Sequence, residues 1–156
     1  MNFEHLIQIN DPENPLVQPL TRDQLWAGLL HRVENPVPFL PGLELCTILE
    51  RQANELLREL DFGPATIQDR VTLVETHWVR FDIIPSEAHA GGSLTITIEE
   101  PEPGFLFLRF AYRTTLASNP NSEDRAYIEY VKSAYHQSDV DCVRLIRTLA
   151  AEGFPQ

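Results

Sequence analysis

The stretch Leu56-Leu57-Arg58-Glu59-Leu60-Asp61-Phe62-Gly63-Pro64-Ala65-Thr66-Ile67-Gln68-Asp69-Arg70-Val71 decides the fold. Apolar and polar residues alternate up to Gly63-Pro64 and again beyond it, and a two-residue loop of this kind joins the antiparallel strands of a hairpin. The loop fixes the register. With Phe62 opposite Ala65, Leu60 faces Ile67, Arg58 faces Asp69 and Leu56 faces Val71, so the apolar residues share one side of the ribbon. Arg58 and Asp69 meet on that same side as cross-strand neighbours, where a lone charge would be costly and a paired one is tolerated.

The period of two extends outward from this hairpin and predicts six strands, over residues 43–50, 55–62, 65–73, 78–84, 93–99 and 105–115. Pairing across Pro101 to Gly104 sets Ile98 opposite Leu106, Ile96 opposite Leu108 and Leu94 opposite Phe110. Val79, Phe81 and Ile83 join the apolar face, while Arg80, Asp82, Thr95, Thr97, Glu99, Arg109 and Arg113 take the other. One dry and one wet face is the pattern of an antiparallel sheet covered on one side. His5, Thr47, Arg58, Asp69 and Tyr112 are the polar residues assigned to the dry face.

Ahead of these strands, residues 3–9 alternate as a further strand, and a proline-rich loop follows. Thr21 with Gln24 forms a capping box that opens a helix with the apolar stripe Leu25, Trp26, Leu29, Leu30 and Val33. Pro36, Pro38 and Pro41 end it. At the other end, Asn119-Pro120-Asn121-Ser122 is a stop and cap signal, after which one long helix runs to Gly153. Its stripe is Tyr127, Ile128, Val131, Ala134, Tyr135, Ser138, Cys142, Leu145, Ile146 and Leu149. A helix of ~30 residues spans ~45 Å, the width of a domain this size, so it must lie across the sheet.

The chain of 156 residues is read as a single domain, 1–156, able to bury ~70% of the surface its unfolded form exposes. Twelve Lys and Arg against 23 Asp and Glu give a net charge of −11. Such a surface repels phosphate backbones and anionic membranes, and no basic cluster reverses it locally, so nucleic acid is excluded as a partner. Cys46 and Cys142 lie far apart, without the spacing of a zinc site, and are expected to be reduced thiols. The opening Met-Asn-Phe-Glu-His lacks a secretory pattern and no apolar run reaches the ~18 residues of a membrane span, so a cytoplasmic protein without membrane insertion is expected.

Four segments carry a family resemblance: Pro19-Leu20-Thr21-Arg22-Asp23-Gln24-Leu25-Trp26; Arg58-Glu59-Leu60-Asp61-Phe62-Gly63; Gly92-Ser93-Leu94-Thr95-Ile96-Thr97-Ile98-Glu99-Glu100; and Ser133-Ala134-Tyr135 with Asp139 and Ile146-Arg147 downstream. In them the chain resembles the AtaL-like family of the SRPBCC (START/Bet v1-like) superfamily. The resemblance implies an α+β helix-grip fold, in which a seven-stranded curved antiparallel sheet grips a long C-terminal helix, with a short helical segment after the first strand. None of the segments is a catalytic signature.

A sheet that grips a helix encloses a cavity, and the inward polar residues are the ligand-binding candidates. Arg58 and Asp69 serve either as a polar anchor for a ligand carboxylate, carbonyl or hydroxyl, or as an ion pair satisfied within the protein. Tyr112 and Tyr135 can each turn a hydroxyl to the cavity or to backbone and water. His5 is a candidate acid or base, or a satisfied core histidine, and Phe81 belongs to the apolar lining. No metal or cofactor is expected. Of His136, Asp139 and Asp141 only two can share a helix face, so they are expected on a solvated surface. Gly91-Gly92 lacks the helix that a phosphate loop needs. Three functions remain open: binding of a small hydrophobic molecule (a lipid, polyketide or aromatic metabolite); an enzyme of the cyclase, aromatase or dehydratase kind in the same cavity; or a closed-core protein that acts through a partner or as a homodimer.

Overall fold

The computed structural model describes residues 2–87, 89–114 and 122–154. Along the chain run β1 (Asn2–Gln8), α1 (Arg22–Glu34), β2 (Leu45–Gln52), β3 (Glu55–Asp61), β4 (Thr66–Val74), β5 (Trp78–Ile83), β6 (Gly92–Glu102), β7 (Phe105–Arg113) and α2 (Ser122–Ala151). The strands form one curved antiparallel sheet in the order β1-β7-β6-β5-β4-β3-β2, so the connection that carries α1 crosses from one edge to the other. The helix-grip expectation holds. The expected end of the last strand at residue 115 and the expected cap at Asn119-Pro120-Asn121 lie outside the described residues.

The first hairpin forms as its loop requires: Phe62 N–H donates to the Ala65 carbonyl at 2.9 Å, and Leu56 pairs with Val71, Arg58 with Asp69 and Leu60 with Ile67. The second is displaced by two residues from the expected pairing. Leu94 lies opposite Tyr112, Ile96 opposite Phe110 and Ile98 opposite Leu108. The cause is that β6 continues through Pro101 to Glu102, with a bulge between Glu99 and Glu102, and turns at Pro103-Gly104. A bulge accommodates a proline that cannot donate to the ladder, and Gly104 takes the left-handed φ of +89° that the tight turn demands. A slip of two residues preserves the faces, so the assignment of dry and wet sides survives it.

Thr47 also departs from expectation: it pairs with Glu59 and is exposed on the outer side. Cys46 and Ile48, opposite Leu60 and Arg58, take the inner positions. The side each residue of this edge strand faces is dictated by its hydrogen-bonded neighbour β3, which leaves Leu45 57% exposed despite its apolar character.

The core lies between the inner sheet face and the two helices. Val71, Val79, Ile96, Leu108 and Phe110 from the sheet meet Leu25, Leu29 and Val33 of α1 and Ile146 of α2, all inaccessible or nearly so. Thr21 caps α1 with the reciprocal bonds of a capping box to Gln24. Where the helices meet, Gly28 leaves room for Ile146: a Cβ there would lie 2.4 Å from Ile146 Cγ2. The loop ahead of α1 is held by buried Asn10, whose side chain donates to the Leu20 carbonyl at 2.7 Å and accepts from Leu20 N–H at 2.9 Å. On the outer face Arg109 bridges Glu99 and Glu4, and Arg70 meets Glu55.

Candidate functional site

The two halves of α2 meet different surroundings. From Asp139 onward its stripe of Asp139, Cys142, Val143 and Ile146 is buried. Earlier, Tyr127, Tyr130, Val131, Ala134, Tyr135 and Ser138 follow the same helical spacing but look onto a cavity of about 640 Å³. Leu60, Phe62, Ile67, Phe81, Ile83 and Leu94 of the sheet form its apolar wall, with Leu40 and Pro41 from the segment after α1. Arg32, Arg58, Asp69, Tyr112 and Ser138 supply polar groups to a largely apolar lining, and His89, Ser93, Arg113 and Thr114 also border it.

Arg58 and Asp69 are both 2% exposed. Arg58 Nε donates to Asp69 Oδ1 at 2.8 Å and Nη2 to Oδ2 at 2.5 Å, a bidentate pair. Nη1 donates to the carbonyls of Val33 at 2.9 Å and Arg32 at 3.3 Å. These belong to the last turn of α1, whose carbonyls have no partner within the helix. Arg58 thus ties the hairpin to the end of α1, and most of its five donors are engaged inside the protein. Its guanidinium carbon lies 5.1 Å from the centre of the Phe81 ring, and that of Arg32 lies 5.5 Å from the same ring.

A second polar pair was not legible as such in the sequence. Tyr112 donates its hydroxyl hydrogen to Asp139 Oδ1 at 2.5 Å. Asp139 is 1% exposed and its Oδ2 has no hydrogen-bond partner among the described residues. Burial pushes the carboxyl up from 3.8 to about 7, against the opposing effects of the Tyr112 hydrogen bond and the Arg32 charge. The Tyr112 hydroxyl is itself raised by burial and by the carboxylate beside it. Asp139 is therefore not on a solvated face, as expected from its grouping with His136 and Asp141; those two are exposed. The missed signal is spacing: Asp139 lies four residues after Tyr135 and three before Cys142, in line with the buried stripe.

Tyr135 packs against Tyr112 with ring centres 4.5 Å apart, and burial raises its hydroxyl pKa. His5 is on the inner face of β1, its ring centre 6.0 Å from that of Tyr112, but it does not line the cavity. Burial first, then His136 and Lys132, lower its pKa, which favours the neutral imidazole. His136 stands 5.0 Å from the His5 ring. Both cysteines are free, and burial raises both thiols above their ordinary range, which is unlike an activated nucleophile. Of the six residues singled out in the sequence, the structure gathers Arg58, Asp69, Phe81, Tyr112 and Tyr135 around one cavity and leaves His5 one ring away. Arg32 and Asp139 were missed. No helix among the described residues is long and apolar enough to cross a membrane.

Solved structures of similar shape bear out the fold. The Zhui aromatase/cyclase from Streptomyces sp. R1128 superposes with a TM-score of 0.65 at 17% identity, covering 99% of each chain. A START superfamily protein from Mycobacterium smegmatis gives 0.60 at 8% identity, over 95% of this chain and 98% of that one. Ara h 8.0201 gives 0.58 at 10% identity, over 95% and 98%. No curated protein matches the chain. The family model described as acetylaranotin biosynthesis cluster protein L matches residues 7–153. With that match spanning nearly the whole chain and the helix-grip fold around its cavity, the protein belongs to the AtaL family.

Proposed function

We propose that the protein binds a small, largely apolar molecule with an oxygen-bearing polar end in the cavity between sheet and α2. The observation that carries this reading is a space of about 640 Å³ with apolar walls and a few convergent polar side chains. That volume falls within the ~300–1,000 Å³ of small-molecule sites. Phe81 and Tyr135 would hold the apolar body, with Tyr112 and the Arg58 and Asp69 pair at the polar end. Native mass spectrometry of the purified chain, followed by solvent extraction, is expected to show one copurifying small molecule per chain. Repeated absence of such a mass, together with no binding of the neutral probe N-phenyl-1-naphthylamine, would sink the reading.

The hydrogen bond from Tyr112 to Asp139 favours a second reading, in which the bound molecule is turned over. The Zhui protein named above is an aromatase/cyclase. Here a proton could pass between a ligand oxygen and Asp139 through the Tyr112 hydroxyl, since a carboxyl near pH 7 can both give and take it. Tyr112→Phe keeps the ring contacts and removes the relay. If the extracted molecule is a substrate, this change is expected to lower kcat at least ~100-fold, the usual contribution of acid–base catalysis, while weakening binding by no more than about tenfold, the cost of one neutral hydrogen bond. Absence of turnover by the wild type would leave binding alone.

A further inference from the structure

We propose that the ligand of the cavity is an organic anion, an apolar body carrying one carboxylate or comparably acidic oxygen, and that Arg32 holds its charged end. This rests on the binding reading above and narrows its ligand class. Arg32 lies in the last turn of α1, is 7% exposed and lines the cavity. Among the described residues no carboxylate reaches it within ion-pair distance, and its Nε has no hydrogen-bond partner. Beside it stand soft groups, the Phe81 ring with its centre 5.5 Å from the guanidinium carbon and the Cys142 thiol.

The contrast with the other arginines is instructive. Arg58, also buried, has Asp69, and on the surface Arg51, Arg70, Arg80 and Arg109 each meet an acidic side chain; Arg113 also borders the cavity, but it is exposed and water can solvate its charge. Carboxylates are abundant in a chain with 23 of them against 12 basic residues. A guanidinium taken out of water without an anion is unfavourable. The negative end of α1 and the Phe81 ring offset part of that penalty. Asp139 offsets a further part at a distance, but near pH 7 its carboxyl is only partly charged. A bound oxyanion completes the balance, because the planar fork of the guanidinium matches two oxygens at once. The apolar body would then lie on Phe81 and Leu94.

The overall field makes this testable. At a net charge of −11 the protein as a whole repels anions, so any preference for one must come from a local site. The probe pair is 8-anilinonaphthalene-1-sulfonate and N-phenyl-1-naphthylamine, which share their rings and differ in the sulfonate. Fluorescence titration of the full chain is expected to give binding of the sulfonate at least about tenfold tighter, the scale of one charge-assisted contact. Arg32→Gln is expected to abolish that preference and leave the neutral probe within about threefold. Should Arg32→Gln fail to fold by circular dichroism, Arg32→Lys, which keeps the charge but not the fork, is expected to weaken the sulfonate alone. Equal binding of the two probes by the wild type, or an unchanged preference in a folded Arg32 variant, overturns the anion site while the cavity reading stands. Failure of both probes to bind overturns the anion site, and with no copurifying mass it removes the cavity reading as well.

Discussion

Asp69→Asn is expected to lower the free energy of unfolding by about 3–5 kcal/mol, the range for removing one member of a buried ion pair. The magnitude follows from what stays behind. Arg58 is 2% exposed, so its charge cannot turn to water, and an amide oxygen returns only one weaker acceptor for the two bonds lost. The remaining contacts to the Val33 and Arg32 carbonyls would keep the guanidinium in place, with its charge unbalanced. Urea unfolding followed by circular dichroism measures the loss. The double variant Arg58→Met with Asp69→Leu is expected to recover most of it, because removing both charges removes the desolvation cost as well as the attraction. Recovery will stop short of wild type, since the end of α1 loses its donor. A loss below about 1 kcal/mol for Asp69→Asn would mean that water reaches the pair and that it behaves as a surface bridge.

Asp139→Asn is expected to change how stability varies with pH. The folded-state pKa of Asp139 is raised, to about 7 from 3.8, so between those values the native state holds a proton that the unfolded chain has released. Stability from this group is therefore greatest at or below pH 4, falls as pH rises toward 7, and is level above that. Roughly three pH units at about 1.4 kcal/mol each set an upper value of about 4 kcal/mol for the decline. Asparagine can still accept from Tyr112 but cannot ionise. The free-energy difference between variant and wild type should thus shift in the variant's favour from pH 4.5 to pH 8, while the other carboxylates cancel in the subtraction. A difference that stays constant over that range would show that Asp139 ionises as an ordinary solvated carboxylate. The same experiment bears on the relay, because a carboxyl that ionises normally has no proton to exchange with Tyr112 near pH 7.

How far the sequence could be read depended on how local each determinant was. The register of β3 with β4 was legible because a two-residue loop leaves one pairing. The register of β6 with β7 was not, because Pro101-Glu102-Pro103-Gly104 admits both a four-residue loop and a two-residue turn preceded by a bulge. Only the ladder shows that the second is formed. Thr47 was placed by the pattern of its own strand, yet β3 chose its face. At the site, Arg58 and Asp69 were visible because the hairpin itself brings them together. Arg32 and Asp139 were not, since each reads as an ordinary helix-surface charge until the rest of the fold is laid over it. Asp139 stands on the stripe of α2, but nothing local distinguishes a buried carboxyl there from an exposed one. Its partner Tyr112 is 27 residues away, on β7.

By itself the sequence determined the elements, the antiparallel pairing of the first hairpin, the dry and wet faces and the helix-grip class. The first three follow from periodicities and caps that act within a few residues, and the class follows from the family resemblance of the segments that carry it. Only the tertiary structure decided that the first half of α2 stands off the sheet and leaves a cavity of about 640 Å³. It also decided that one buried arginine meets a carboxylate while another, beside the cavity, meets none among the described residues. Cavity volume and the balance of a buried charge depend on what distant segments bring opposite one another, and neither quantity exists until those segments pack.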